Sequence, residues 1–226
     1  MTTSESAAAE AQAGDGADDG RNDAAAPLVV RLPIYLLGAA LVGLFVVHIG
    51  SGMADWGVSS DAMRHGAYDR LLLHMAAHAS LVHVGLNVFA LTMFAPAAVL
   101  RLGPGPLAWL RFAVLFVLGG VAGALVFLAI HPFGAVPMIG ASGAIYALVG
   151  FLVRTAGEGG SLVGLGSPDV RAAAKAFVVD NLKLMLFFTL PALLTGLPGG
   201  LAWEAHLGGF VFGLLAAPLL RPRLNV

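Results

Sequence analysis

The chain has 226 residues, of which 58% are hydrophobic and only 11% are charged, and its mean hydropathy is +0.88; this excludes an ordinary soluble domain and indicates a membrane protein. The net charge of −1 comes with no basic patch, so nucleic acid is not an expected partner. The absence of cysteine excludes disulfides, cysteine-bound zinc and thiol catalysis.

Residues 1–27 are rich in Ala, Gly and Asp and contain no aromatic residue. This composition predicts a disordered, solvated acidic tail. The tail has neither the basic start nor the apolar run of a signal peptide, so we do not interpret it as one. Residues 28–226 are predicted to form one membrane-embedded domain. The charges of the tail are almost all acidic: Glu5, Glu10, Asp15, Asp18, Asp19 and Asp23 against Arg21.

Six apolar segments follow the tail and predict an all-α membrane protein built as a six-transmembrane-helix bundle. Pro96 is expected to interrupt the second segment, and Pro191 to kink the fifth. Between the fourth and fifth segments, Ser167-Pro168-Asp169 predicts the start of a separate helix over 170–179. The six segments are about 32–48, a part of 71–100, 107–130, 139–153, 182–197 and 202–220.

The basic residues predict the orientation in the membrane. With six spans both termini lie on one side, and that side collects ten of the 12 Lys and Arg residues. Because basic residues accumulate in cytoplasmic loops, both termini are predicted to be cytoplasmic. The ten are Arg21, Arg31, Arg101, Arg111, Arg154, Arg171, Lys175, Lys183, Arg221 and Arg223, against Arg64 and Arg70 on the other side.

This orientation brings polar residues of three distant segments to one depth. The second, fourth and sixth segments all run from outside to inside, so their first turns lie near the outer face. Ser142 begins the fourth segment, His206 begins the sixth, and His78, His83 and Asn87 lie near the start of the second. Ionisable residues in a membrane segment indicate a functional site.

Ser142 and His206 have the chemistry of a nucleophile and its base. A serine hydroxyl is a weak nucleophile, and an adjacent imidazole can take its proton and later deliver it to a leaving amine. No Asp is expected at this depth, and Glu204, two residues before His206, lies on another helix face. The sequence therefore favours a Ser–His dyad over a triad. Tyr146, one turn after Ser142, could pack on the imidazole.

His83 and Asn87 are four residues apart and share one helix face. Both can donate hydrogen bonds, as stabilisation of an acyl-transfer oxyanion requires. The alternative is a buried polar pair that bonds between helices.

Small residues form stripes beside Ser142 and beside His206. Such stripes let membrane helices pack closely and predict direct contact between the fourth and sixth segments. The stripes consist of Gly143, Ala147 and Gly150 on the fourth segment, and Gly209, Gly213 and Ala217 on the sixth.

Three motifs together resemble those of the rhomboid family of intramembrane serine proteases: Gly140-Ala141-Ser142-Gly143, His206 followed by Leu-Gly-Gly, and His78-x4-His83-x3-Asn87. The resemblance covers roughly residues 28–221. It implies that Ser142 is the nucleophile, that His206 is the base, and that His83, Asn87 and the Ser142 backbone N–H form an oxyanion hole. It also implies that Gly140 shapes the loop beside the serine and that Tyr146 stacks on His206.

The resemblance further implies cleavage of transmembrane protein substrates near their outer ends, without a cofactor. We expect a multi-pass protein of the bacterial cytoplasmic membrane. The expected partners are these substrates and the lipid bilayer. Two positions depart from the family pattern: Asp69 stands where the family has Trp before Arg70, and Val99 where it often has Glu four residues before Gly103.

Two alternatives stay open. One is a catalytically inactive rhomboid relative that binds membrane clients without cutting them; the presence of both Ser142 and His206 argues against it. The other is a histidine-lined metal transporter or metalloenzyme, for which His74 and His78, at i and i+4, are the natural starting pair. We favour the protease and expect no metal ligands.

Overall fold

The computed structural model describes residues 26–49, 53–195 and 200–222. Those residues form eight α-helices and two short 3₁₀ turns, Ala54–Trp56 and Glu158–Gly160. The acidic tail predicted for residues 1–27 lies outside the described part except for Ala26 and Pro27, so its disorder stays a prediction. The helices are α1 (Leu28–His48), α2 (Ser60–Arg64), α3 (Arg70–Leu73), α4 (Leu81–Arg101), α5 (Pro106–Ile130), α6 (Ser142–Arg154), α7 (Pro168–Thr195) and α8 (Trp203–Leu220).

Four helices of the described part, α1, α4, α5 and α8, are long and apolar enough to cross a membrane, and α6 is a shorter apolar helix. Large apolar side chains point outward from them, among them Leu36, Phe89, Leu110 and Leu219. Helices are the natural spanning element, because their backbone polar groups are satisfied internally. The prediction of a largely helical membrane protein is confirmed.

The prediction that the second span falls within residues 71–100 is confirmed to within one residue, since α4 covers Leu81–Arg101. Residues 71–80 form most of α3 and a turn, and α4 starts at Leu81, where Ser80 Oγ accepts a hydrogen bond from the His83 amide. The interruption predicted at Pro96 is wrong, since α4 continues through it to Arg101. Membrane helices tolerate proline because neighbouring groups and local adjustments satisfy the freed carbonyl.

The helix predicted for 170–179 and the fifth segment form one continuous helix, α7. Its start is confirmed, because Ser167 Oγ accepts from the Val170 amide at 3.3 Å. The polar pair Asp180-Asn181 does not break the helix, because the Asn181 side chain donates to the carbonyl of Phe177, one turn earlier. The helix includes position 191, and the predicted kink there stays a prediction; residues 196–197 lie outside the described part.

Glycines bring the backbones of α6 and α8 into direct contact. A Cβ added to Gly209 would overlap the Gly143 carbonyl oxygen, and one added to Gly213 would overlap that of Ala147. The predicted close-packing stripes are therefore confirmed. The first turns of α6 and α8, which carry Ser142 and His206, are fixed side by side.

The Gly209→Ala substitution tests this packing. The added methyl group has no space, so α6 and α8 must separate, and overpacking of this kind typically costs about 1–3 kcal/mol. We expect a lower thermal unfolding temperature in detergent. Gly43→Ala in α1 is the matched control, since no atom lies within 4 Å of the added Cβ. Equal unfolding temperatures for the two variants would contradict the packing.

The turn between α4 and α5 is held without the glutamate that the family often has. Val99 is buried in the core, and Gly103 adopts φ +111°, a conformation that favours glycine. Arg111 Nη1 donates to the Leu102 carbonyl at 2.8 Å. The helix junction is thus closed by an arginine from α5.

Candidate active site

Ser142 is the first residue of α6 and follows a sharp turn. Gly140 there has φ +119°, and its amide donates to the His74 carbonyl at 2.8 Å. A Cβ on Gly140 would lie 2.7 Å from His83 Nε2, so a side chain is excluded both by conformation and by space. The first amides of a helix have no acceptor within it, which leaves the Ser142 N–H for a ligand.

His206 in the first turns of α8 contacts the serine directly. Its Nε2 lies 2.8 Å from Ser142 Oγ, and the side chain is almost completely buried. The Tyr146 ring stacks on the imidazole with a centroid separation of 4.3 Å and an interplanar angle of 22°. The structure therefore brings together the serine, the histidine and the tyrosine singled out in the sequence.

The other ring nitrogen of His206 has a partner that the sequence reasoning missed. Asn181 Oδ1 on α7 lies 2.6 Å from His206 Nδ1. Asn181 Nδ2 is 2.8 Å from the Phe177 carbonyl oxygen and 3.2 Å from the Tyr146 hydroxyl. The sequence does contain an indication of this contact, since an amide side chain inside a membrane helix usually forms a hydrogen bond with another helix. Asn181 is an amide rather than a carboxylate, and it lies in the middle of α7 rather than in a first helical turn.

Among the described residues, the hydrogen-bond partners of His206 are Ser142 and Asn181 and not an Asp, although one Asp lines the same cavity. Asp180 precedes Asn181 and lines the same cavity as Ser142 and His206. Neighbouring residues on a helix project in different directions. The Asp180 carboxylate is largely exposed and pairs with Lys183 at 3.3 Å, while the amide of Asn181 faces the histidine.

Glu204 does face away from the serine, as predicted. It is buried at the start of α8, and its Oε1 lies 2.7 Å from Nε2 of His131, the residue that follows α5. The pair ties the beginning of α8 to the end of α5 and leaves the Glu204 carboxylate outside the serine–histidine contact.

His83 and Asn87 on α4 line a cavity of about 370 Å³ together with Ser142 and His206. The Ala79 amide donates to His83 Nδ1 at 3.4 Å, so a neutral His83 carries its proton on Nε2, the nitrogen beside Gly140. Asn87 Nδ2 donates one hydrogen to the His83 carbonyl at 2.9 Å and keeps a second. Both residues thus retain an N–H donor at the cavity.

His74 and His78 are also buried but serve other contacts. His74 Nδ1 donates to the Arg70 carbonyl at 3.0 Å, and the His78 ring packs edge-on against His83 with centroids 5.1 Å apart. Within residues 26–49, 53–195 and 200–222, no three His, Cys, Asp or Glu side chains form a group that could hold a metal ion. The ligand set that the metal alternative requires is not gathered there.

The fold and the site define a helical integral membrane protein with a hydrogen-bonded serine and histidine in a cavity between its helices. The Rhomboid domain family model matches residues 65–223, more than half of the chain. A comparison with curated proteins finds no match. The chain belongs to the rhomboid family of intramembrane proteases and their homologues, which confirms the resemblance inferred from the three motifs.

Proposed function

We propose that this protein is an intramembrane serine endopeptidase that cleaves transmembrane protein substrates near their outer ends. The contact of 2.8 Å between Ser142 Oγ and His206 Nε2 carries the proposal. It supplies a nucleophile and a base in hydrogen-bond reach, in a cavity that a peptide segment could enter. The proposal assigns Ser142 as nucleophile, His206 as base, and His83, Asn87 and the Ser142 N–H as oxyanion donors.

The reaction follows from these positions. Ser142 Oγ attacks the scissile carbonyl carbon as its proton passes to His206 Nε2, and the carbonyl oxygen becomes an oxyanion. Collapse of this intermediate breaks the C–N bond, and the leaving amine takes the proton from His206. Water then attacks the acyl-serine with His206 again accepting the proton, which returns to Ser142 Oγ as the acid product leaves.

Gly140, Gly143 and Tyr146 support this chemistry in the proposal. Gly140 allows the turn to pass close to His83, and Gly143 allows α6 to pack against the Ala205 carbonyl, which would lie 3.2 Å from an added Cβ. Tyr146 holds the plane of the imidazole through stacking.

We further propose that α1, α4, α5, α6, α7 and α8 are the six spans. The 13 residues of α6 extend over about 20 Å at ~1.5 Å per residue, less than the ~30 Å of the hydrocarbon core. With Arg154 at the cytoplasmic boundary, Ser142 would lie about 10 Å below the outer one. The proposed cleavage site is therefore within the membrane, and the cavity must admit water from outside.

Both termini are proposed to be cytoplasmic, in the cytoplasmic membrane of a bacterium. The charge argument needs one correction, because Lys183 lies in the middle of α7, two residues beyond Asn181, and not near an end of a helix. Nine basic residues, the ten less Lys183, still oppose Arg64 and Arg70. The bias toward one side stays strong.

The chain has no cysteine, so single introduced cysteines report the topology cleanly. We expect a membrane-impermeant maleimide to label Phe133→Cys, between α5 and α6, in intact cells. Leu165→Cys, between α6 and α7, should be labelled only after lysis. Both positions are exposed, at 82% and 50%, so access to the side chain is not limiting. The reverse pattern would contradict the orientation.

The activity itself is tested with purified protein in liposomes and a panel of model transmembrane substrates. Wild type should cleave at least one of them near its outer end, Ser142→Ala should cleave none, and a chelator should leave the rate unchanged. Binding of substrates by folded wild type without any cleavage would instead favour the inactive relative. Cleavage lost on chelation would contradict the serine mechanism.

A further inference from the structure

We propose that Asn181 is a positioning residue that sets the proton on His206 and completes a Ser142–His206–Asn181 relay. The inference rests on the proposed protease function. It replaces the dyad expected from the sequence with three groups from three helices, α6, α8 and α7.

The hydrogen-bond pattern fixes which way the amide points. The Phe177 carbonyl oxygen can only accept, so the atom of Asn181 that lies 2.8 Å from it must be the NH₂ nitrogen. The carbonyl Oδ1 is therefore the atom 2.6 Å from His206 Nδ1. Because Oδ1 can only accept, a neutral His206 carries its proton on Nδ1.

The proton on Nδ1 determines the state of Nε2, the other ring nitrogen of His206. With its proton on Nδ1, the neutral imidazole presents an unprotonated Nε2 to Ser142 Oγ, 2.8 Å away. This is the tautomer that can accept the serine proton. The other tautomer would present an N–H to Oγ and could not act as a base.

The burial of Asn181 supports a dedicated role. Among the α7 residues whose side chains are described, Val170 and Asn181 are the two that are buried, and Asn181 is only 6% exposed. A buried amide is costly unless its polar atoms are bonded. Asn181 uses its oxygen on His206 and its two N–H groups on Phe177 and Tyr146. Tyr146 also stacks on the imidazole. The hydrogen bond from Asn181 therefore fixes the direction of Nδ1, and the stacked tyrosine fixes the plane of the ring.

Asn181→Leu removes the acceptor while keeping a side chain of similar size. Loss of the carboxylate partner in a Ser-His-Asp triad lowers kcat about 10⁴-fold through the wrong tautomer, and Asn fills the same position in Cys-His-Asn proteases. A neutral amide stabilises the imidazolium less than a carboxylate does, so we expect a loss of about 10²-fold in kcat. The substrate KM should change by no more than about twofold, because the amide acts through the base and not on the substrate.

The experiment compares Asn181→Leu with wild type and with Leu182→Ala, a control at an exposed position of the same helix. Steady-state cleavage and thermal unfolding are measured in detergent. The control should retain wild-type kcat. A folded Asn181→Leu protein that keeps the wild-type kcat would overturn the proposal, whether its KM is unchanged or strongly raised.

A second measurement depends neither on activity nor on the folding of Asn181→Leu. In protein labelled with ¹⁵N-histidine, the His206 signals are those absent from His206→Ala. The wild-type spectrum of the neutral ring should show a proton on Nδ1 and none on Nε2. A proton on Nε2 would overturn the proposal. Failure of wild type to cleave any substrate, with the Nδ1 proton in place, would instead count against the protease function.

Discussion

Ser142→Ala and His206→Ala are each expected to abolish cleavage, with kcat falling by about 10⁶-fold, as in serine proteases whose nucleophile and base act as a unit. The double variant should be no worse than either single one, since each change already removes the proton transfer from Oγ to Nε2 across their 2.8 Å contact. The measurement is cleavage of a model transmembrane substrate by the three purified variants. A double variant much less active than both single ones would show that the two side chains act independently.

Loss of activity must be separated from loss of folding. Ser→Ala removes one hydroxyl and leaves no large cavity, so the unfolding temperature of Ser142→Ala should stay near that of wild type. Thr92→Ala provides the matched hydroxyl deletion, since Thr92 Oγ1 donates to the Phe89 carbonyl of its own helix at 2.8 Å. This control should cleave at the wild-type rate. Appreciable cleavage by pure Ser142→Ala would refute the assignment of the nucleophile.

His83→Ala and Asn87→Ala are expected to lower kcat by ~10²–10³-fold each, about 2.7–4 kcal/mol of transition-state stabilisation. The tetrahedral intermediate carries a full negative charge, and the donors that line the cavity with Ser142 are His83 Nε2–H and the second N–H of Asn87, together with the serine amide. Since these donors act mainly on the developing charge, KM should rise little. Overlap among the three donors would make each single loss smaller.

Steady-state kinetics and thermal unfolding of both variants check this expectation. Val82→Ala, at an exposed position of the same helix, is the control and should behave as wild type. If His83→Ala and Asn87→Ala both remain folded and keep the wild-type kcat, the two residues are a structural polar pair.

The sequence was sufficient to find Ser142 and His206, although 64 residues separate them. Short motifs marked each residue, the basic residues predicted the direction of each segment, and equal predicted direction implied equal depth. Glycine stripes then predicted that the two segments touch. Each of these patterns is local in the chain. Because all segments cross the same bilayer, their predicted directions place the first turns of distant segments at a common depth.

The exact start of α4 within residues 71–100 could not be obtained in the same way. Residues 71–80 are nearly as apolar as the helix that follows, and hydropathy does not distinguish a buried turn from a spanning helix. The carbonyl of His74 in this turn accepts from the Gly140 amide at 2.8 Å, a contact between distant parts of the chain. Tertiary contacts of this kind leave no mark in a hydropathy pattern.

Asn181 shows the same limit at the site. Its α7 segment runs from the cytoplasmic side outward in the proposed topology, so the residue lies mid-helix and escapes a search of first turns. Its neighbour Asp180 has the residue type expected of a triad but faces Lys183. Which of the two reaches His206 depends on the rotation of α7 about its axis, and the sequence offered no strong apolar face to fix that rotation.

The most direct test of the proposed chemistry is modification of the nucleophile. A fluorophosphonate forms a bond between phosphorus and the activated serine oxygen and releases fluoride, so peptide mass spectrometry identifies the reactive residue. For wild-type protein in detergent we expect one modification, on Ser142, with parallel loss of substrate cleavage, and no modification of Ser142→Ala. Modification and inactivation at another serine, or unimpaired cleavage by protein fully modified at Ser142, would contradict the account.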